Sequence, residues 1–137
     1  MKIMVIVKAS EASENGEMPT SDELNEMGKF NEELVGAGIM LDGDGLRPSS
    51  KGARVDFEAG KPSVTDGPFA ETKELVAGYW VWQVKDMDEA LEWARKIPFV
   101  DGSVEIRQFS TPEDFGEALT PELQAKEEEL RARSENN

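Results

Sequence analysis

The chain opens with KIMVIVK at residues 2–8, which is apolar or β-branched at nearly every position. In an extended backbone Ile3, Val5 and Val7 share one face, and Met4 and Ile6 share the other. A strand that is apolar on both faces is covered on both faces. Residues 10–19 are polar, with Gly16 and Pro19, and read as a loop. Thr20 and Glu23 then have the spacing of a capping box, and Leu24, Met27, Phe30 and Leu34 follow at helical steps. Gly36 and Gly38 end that helix. Residues 39–41 begin a second strand, and Gly43, Gly45 and Pro48 make the next stretch irregular. Residues 53–58 alternate, Ala59-Gly60 turns, and 61–65 returns, which predicts a hairpin. Residues 75–84 are the strongest strand. Leu75, Ala77, Tyr79 and Val81 lie on one side of it, and Val76, Trp80, Trp82 and Val84 on the other. Asp86 with Glu89 caps a second helix whose face is Met87, Ala90, Leu91 and Ala94, and Pro98 stops it. Residues 103–109 are the last strand.

This order is β-α-β, a hairpin insert, then β-α-β. It predicts an α+β fold, the ferredoxin-like split βαβ with an inserted β-hairpin. Two helices cover one face of such a sheet, yet residues 2–8 and 75–84 are apolar on both. A second copy is the simplest cover, so the expected assembly is a homodimer forming a dimeric α+β barrel. The domain spans 1–110, and 111–137 is an acidic C-terminal helical tail. Thr120-Pro121 restarts a helix there, with Glu127–Arg131 and Glu129–Arg133 four apart and a thin stripe of Leu119, Leu123 and Leu130. The tail reads as an arm packed on its own domain or on the partner, with a solvated helix as the alternative.

Charge narrows the function classes. The net charge is −14, and both parts are acidic: 12 basic against 21 acidic residues in 1–110, and 3 against 8 in 111–137. Neither part has the basic footprint that a phosphate backbone requires, so no nucleic-acid partner is expected. No run approaches the roughly 18 apolar residues of a membrane span, and the N-terminus lacks a small-residue cleavage site, so the expected location is cytoplasmic. The chain has no Cys, which removes thiolate chemistry and disulfides. It also has no His, which removes Ser–His and Cys–His nucleophile pairs and every imidazole ligand. Acid–base chemistry is left to Asp, Glu, Lys, Tyr79 or water. No cofactor or metal site is expected. Asp42-Gly43-Asp44-Gly45 opens like a calcium loop, but Leu46 and Ala53 stand where ligands are needed. Gly43-x-Gly45 lacks the third glycine of a dinucleotide fingerprint.

Several residues are candidates for a ligand site. Asp66 precedes Gly67-Pro68, where Gly67 permits a positive φ and Pro68 fixes the next φ. Asp66 is then either a carboxylate aimed into a pocket, as base or ligand, or the acceptor of an Asx-type turn. Arg47 suits carboxylate or phosphate, and Ser49, Ser50 and Lys51 add donors around it. Arg107 and Glu105 fall on the sheet face away from the helices, as a ligand anchor or as an ion pair across the dimer. Trp80 and Trp82 share a face, as pocket lining or as packed core. Thr72 and Lys73 flank the entrance of the strongest strand.

The segment SVTDGPFAETKELVAGYWVW at 63–82 resembles the signature of the YCII-related family, in the branch often called DGPF proteins. The resemblance extends to EMGKFNEEL at 26–34, PSSKGARV at 48–55 and VEIR at 104–107. It implies the same dimeric α+β barrel. In related proteins an Asp is discussed with a His as a catalytic pair, and here no His completes it. Where similar sequences often have His after Gly-Leu, this chain has Arg47. The resemblance fits a small-molecule enzyme or enzyme-like protein with a cleft between sheet and partner, polar capture by Arg47 or Arg107, and Asp66 as base. The alternative is a non-catalytic ligand-binding or regulatory dimer, since genes of similar proteins often lie beside extracytoplasmic-function sigma factors.

Overall fold

The computed structural model describes residues 1–136, and at position 73 the backbone alone. The elements are β1 (Lys2–Lys8), α1 (Glu11–Glu14), α2 (Ser21–Gly36), β2 (Met40–Gly45), β3 (Ala53–Glu58), β4 (Lys61–Asp66), β5 (Val76–Gln83), α3 (Met87–Ala94), β6 (Val104–Gln108) and α4 (Pro121–Glu135). Three 3₁₀ turns lie at Ser49–Lys51, Thr72–Glu74 and Pro112–Ala118. Four strands form one sheet in the order β2, β5, β1, β6, and every neighbouring pair is antiparallel. β5 therefore splits the β1-α2-β2 unit, which is the ferredoxin-like plan that the order of elements predicts. β3 and β4 pair separately as the inserted hairpin, joined by Ala59 and Gly60 with φ of 49° and 79°. Positive φ at both central residues is the turn whose twist matches two paired strands.

The helix boundaries follow from caps. At α2 the Glu23 N–H donates to Thr20 Oγ1 (3.1 Å), and the Thr20 N–H donates to the Glu23 carboxylate (3.4 Å). At α3 the Glu89 N–H donates to Asp86 (2.9 Å), and the Lys85 N–H donates to Glu89 (2.9 Å). Each satisfies amides that a helix start leaves unpaired.

The core lies between the helices and one face of the sheet. Ile3, Val5, Trp80 and Trp82 come from the strands, and Phe30, Leu34, Ala90 and Ile97 from above. The Phe30 ring meets Trp80 edge-on at 5.9 Å and 79°, a favoured arrangement for aromatic quadrupoles. Trp82 is fully buried, and its indole N–H has no acceptor among the described residues. The two tryptophans are thus packed core, and Trp80 also reaches a cleft described below.

The register assigns the opposite face. The rows across the sheet run Asp42, Val81, Met4, Arg107 and then Asp44, Tyr79, Ile6, Glu105. Val81 is buried yet lies outside the helix-side core cluster, and Met4, Ile6 and Tyr79 are half-buried. No helix of the described residues is long and apolar enough to cross a membrane.

Three local expectations change. Residues 11–14, read as loop, form a one-turn helix because Ser10 and Ser13 cap each other. Residues 42–45, read as irregular, continue β2 along β5 after an irregularity between Met40 and Asp42. On α3, Met87 and Leu91 are 40% and 37% exposed, while Trp93 packs on the core beside Phe30. In the tail, α4 buries no residue, Leu123 and Leu130 are about half exposed, and Leu119 before it is half-buried.

Candidate functional site

Two local structures hold the residues that the sequence singles out. The first is the turn at 66–69. Gly67 does not have positive φ, so the conformational reason expected for it is replaced by a steric one. A Cβ there would sit 1.7 Å from the Ser49 carbonyl oxygen. Only glycine lets two backbone segments approach this closely. The approach is bonded on both sides. The Gly67 N–H donates to the Gly52 carbonyl (3.0 Å), and the Phe69 N–H donates to Ser49 Oγ (3.0 Å). Ser49 in turn donates through its N–H (2.9 Å) and its hydroxyl to the Glu14 carboxylate on α1. The Gly67–Pro68 peptide is cis. Beyond the turn, the Arg54 guanidinium lies 3.8 Å from the centre of the Phe69 ring and pairs with Glu71 at 3.3 Å. The backbone hydrogen bond at Glu71, followed by its bond and charge interaction with Arg54, holds the Glu71 carboxyl below the usual range. The turn is thus a clamp joining α1, the 49–52 segment and the base of the hairpin.

Asp66 stands at the end of β4, exposed, opposite Ala53. No described hydrogen bond goes to its carboxylate, so the Asx-type turn is not formed. Arg47 is exposed in the loop after β2, and Thr72 is half-buried in its 3₁₀ turn. The side chain of Lys73 lies outside the described residues. Arg107 pairs with Glu105 within one chain at 3.3 Å, and Lys8 meets the same carboxylate at 3.6 Å. Arg47, Asp66, Thr72 and Arg107 line none of the described clefts. Among the described residues no group of three or more carboxylates could hold a metal ion.

The second structure is a cleft of about 420 Å³ between α2 and the β2–β5 edge, on the helix side of the sheet. Its walls are Leu24, Met27, Met40, Trp80 and Phe99. Gly43, Gly45 and Gly78 border it where the two strands meet. At Gly43 a Cβ would lie 2.8 Å from the Trp80 ring, so glycine there lets the indole cross the strand. At Gly45 a Cβ would meet nothing within 4 Å, and the missing side chain leaves space. Asn31 is the polar side chain of the helical wall. Its carbonyl oxygen accepts the Trp80 indole N–H at 2.9 Å, which leaves the amide nitrogen as a donor. Asn31 escapes a search for charged or catalytic residues. It does fall four residues after Met27 and seven after Leu24, so a polar side chain within the apolar stripe of α2 is the signal that finds it. A wider cleft of about 640 Å³ adjoins the first through Val7, Ala77 and Phe99.

Comparison with known proteins places this architecture. The model of the YCII-related domain matches residues 1–111. The chain belongs to the YCII-related family. A curated relative, an uncharacterised protein of Rhizobium meliloti (strain 1021), is 40% identical over 65 residues, or 45% of this chain. The chain spans about half, 52%, of that relative's length. Among solved structures, 5-chloro-2-hydroxyhydroquinone dehydrochlorinase from Burkholderia phenoliruptrix AC1100, in complex with 2,5-dihydroxybenzoquinone, aligns with 83% of this chain and 98% of its own. The identity is 14% and the TM-score 0.47. In this YCII-related chain the clamp at 66–69 and the cleft beside α2 are separate features.

Proposed function

We propose that this YCII-related protein is a homodimer that holds a small, largely apolar molecule in the cleft between α2 and the β2–β5 edge. The observation that carries the reading is the cleft itself. Its volume of about 420 Å³ lies within the range of small-molecule sites, and its walls are largely apolar, with Asn31 on the helical side and Asp44 and Tyr79 along the strand border. Leu24, Met27, Met40 and Phe99 suit a ring or short chain, and the Asn31 amide nitrogen suits an acceptor on it. Met4, Ile6, Tyr79 and Val81, on the sheet face away from the core cluster, support dimerisation. Binding is favoured over catalysis because the cleft brings neither Asp66 nor an Arg to the ligand, and the carboxylate that borders it, Asp44, is exposed on the β2 edge. A role for Asp66 as base would require the partner to close a pocket over an exposed carboxylate.

The test is an NMR screen of single-ring aromatic and short aliphatic fragments, read at the indole N–H signals of Trp80, Trp82 and Trp93. The expected result is a shift of the Trp80 signal by a subset of fragments, lost in Gly45→Leu, whose side chain fills the cleft. Fragments that move no indole signal, or that bind Gly45→Leu equally well, would overturn the reading.

A further inference from the structure

The wider cleft of about 640 Å³ differs in chemistry from the one it adjoins. One wall is built by α1 and the 17–19 segment that leads into α2. The other is the 98–103 segment that leads into β6. Met18 and Val100, 84% and 97% exposed, put one apolar side chain on each wall. Glu17, Glu23 and Asp101 stand among them. The Glu23 carboxylate is occupied by Thr20 at the start of α2. Glu17 and Asp101 are exposed, and no described hydrogen bond or ion pair goes to either carboxylate. Among the described residues Lys8 is the single cation lining either cleft, and Glu105 already meets it at 3.6 Å. Val7, Ala77 and Phe99 line both clefts, so a molecule seated beside Trp80 extends directly from the first into the second.

We infer that the molecule held beside Trp80 carries a protonated amine, which lies in the wider cleft against Glu17 and Asp101. The inference rests on the binding reading above and adds to it the charge of the ligand. An anionic ligand finds no partner: Arg47 and Arg107, whose guanidinium groups suit a carboxylate or phosphate, line neither cleft. It would also enter against the field of a chain of net charge −14. A neutral ligand uses the first cleft and leaves the second unused. An amine with an apolar body uses both. Its body covers Trp80 and Phe99 in the first cleft, where the Asn31 amide nitrogen meets an acceptor on it. Its ammonium group donates to the two free carboxylates, and charge-assisted bonds of this kind are the stronger ones. What selects Glu17 and Asp101 from an acidic surface is the apolar trough that they close.

The test is an NMR titration, read at the Trp80 indole N–H at neutral pH, with 2-phenylethylamine, 2-phenylethanol and phenylacetate. The three probes share a ring and differ in charge. The amine should bind about fivefold tighter than the alcohol, the scale of one or two exposed charge contacts. Phenylacetate should bind more weakly than either, and added salt should narrow the differences. Glu17→Gln combined with Asp101→Asn should bring the amine down to the alcohol, whose own affinity stays. Glu33→Gln combined with Glu92→Gln removes as much charge from exposed helix positions outside both clefts, and should keep the advantage of the amine. An amine that binds no tighter than the alcohol would overturn the inference and leave the binding reading standing. So would an advantage that survives Glu17→Gln with Asp101→Asn, or is lost equally in Glu33→Gln with Glu92→Gln. No shift of the indole signal with any of the three probes would overturn the inference together with the reading beneath it.

Discussion

Gly67→Ala is the sharpest perturbation of the clamp. A Cβ at this position would lie 1.7 Å from the Ser49 carbonyl oxygen and 2.6 Å from its carbon. Both are backbone atoms, so no side-chain rotation relieves the overlap. The turn has to lift away from residues 49–52. Lifting breaks the Gly67 N–H bond to Gly52 and the Phe69 N–H bond to Ser49, about 1 kcal/mol each. The residual overpacking adds roughly 1–3 kcal/mol. A loss of about 3–5 kcal/mol is a large fraction of the ~5–15 kcal/mol that holds a domain folded. With a urea slope near 2 kcal/mol per molar, the midpoint should fall by about 2 M. Gly28→Ala is the matched control. Gly28 lies inside α2, where a Cβ meets nothing within 4 Å, so the change should stabilise by about 0.5–1 kcal/mol. Urea unfolding and hydrogen exchange at the Phe69 amide read the two variants. The steric argument fails if Gly67→Ala leaves both the midpoint and the Phe69 protection at wild-type values.

Other predictions follow from individual groups. Tyr79 is the single tyrosine, and the Asp42 charge foremost pushes its pKa above the ordinary 10.0. Its stabilising contribution is whole below pH 10.0 and is lost as pH rises through the higher folded value. A phenolate absorbance titration should therefore show a midpoint above 10.0 that moves down in Asp42→Asn. Glu71 has a folded pKa below its ordinary 4.5, so its contribution is present above 4.5 and is lost as pH falls through the lower folded value. Carboxyl-carbon NMR should show this depressed midpoint, and Arg54→Gln should raise it. Gly45→Leu should leave the urea midpoint at or above that of wild type, since open space receives the new side chain. A large fall would mean that the cleft cannot accept an apolar group.

The plan of the fold was legible because it rests on local rules. Residues 2–8 and 75–84 carry two apolar faces, and Thr20–Glu23 and Asp86–Glu89 mark their helices by spacing alone. β2 was harder. Asp42-Gly43-Asp44-Gly45 has poor strand propensity, and its extension comes from pairing with β5, a tertiary effect. At Gly67 the need for glycine is steric and not local, because Ser49, which it approaches, lies 18 positions earlier in the chain. The candidate polar residues came from their chemistry one at a time. Sequence spacing could not say that Arg47, Asp66 and Arg107 would stand apart from the cleft. Asn31 was hidden for the converse reason: its significance comes from the indole it holds and the space beside it.

Native mass spectrometry of the purified protein, first gently and then under denaturing conditions, tests the central claim most directly. The account predicts a dimer carrying a discrete small molecule that is released when the chains unfold. An empty monomer at every protein concentration would contradict it, because the second apolar face of the sheet would then be uncovered and the cleft unused.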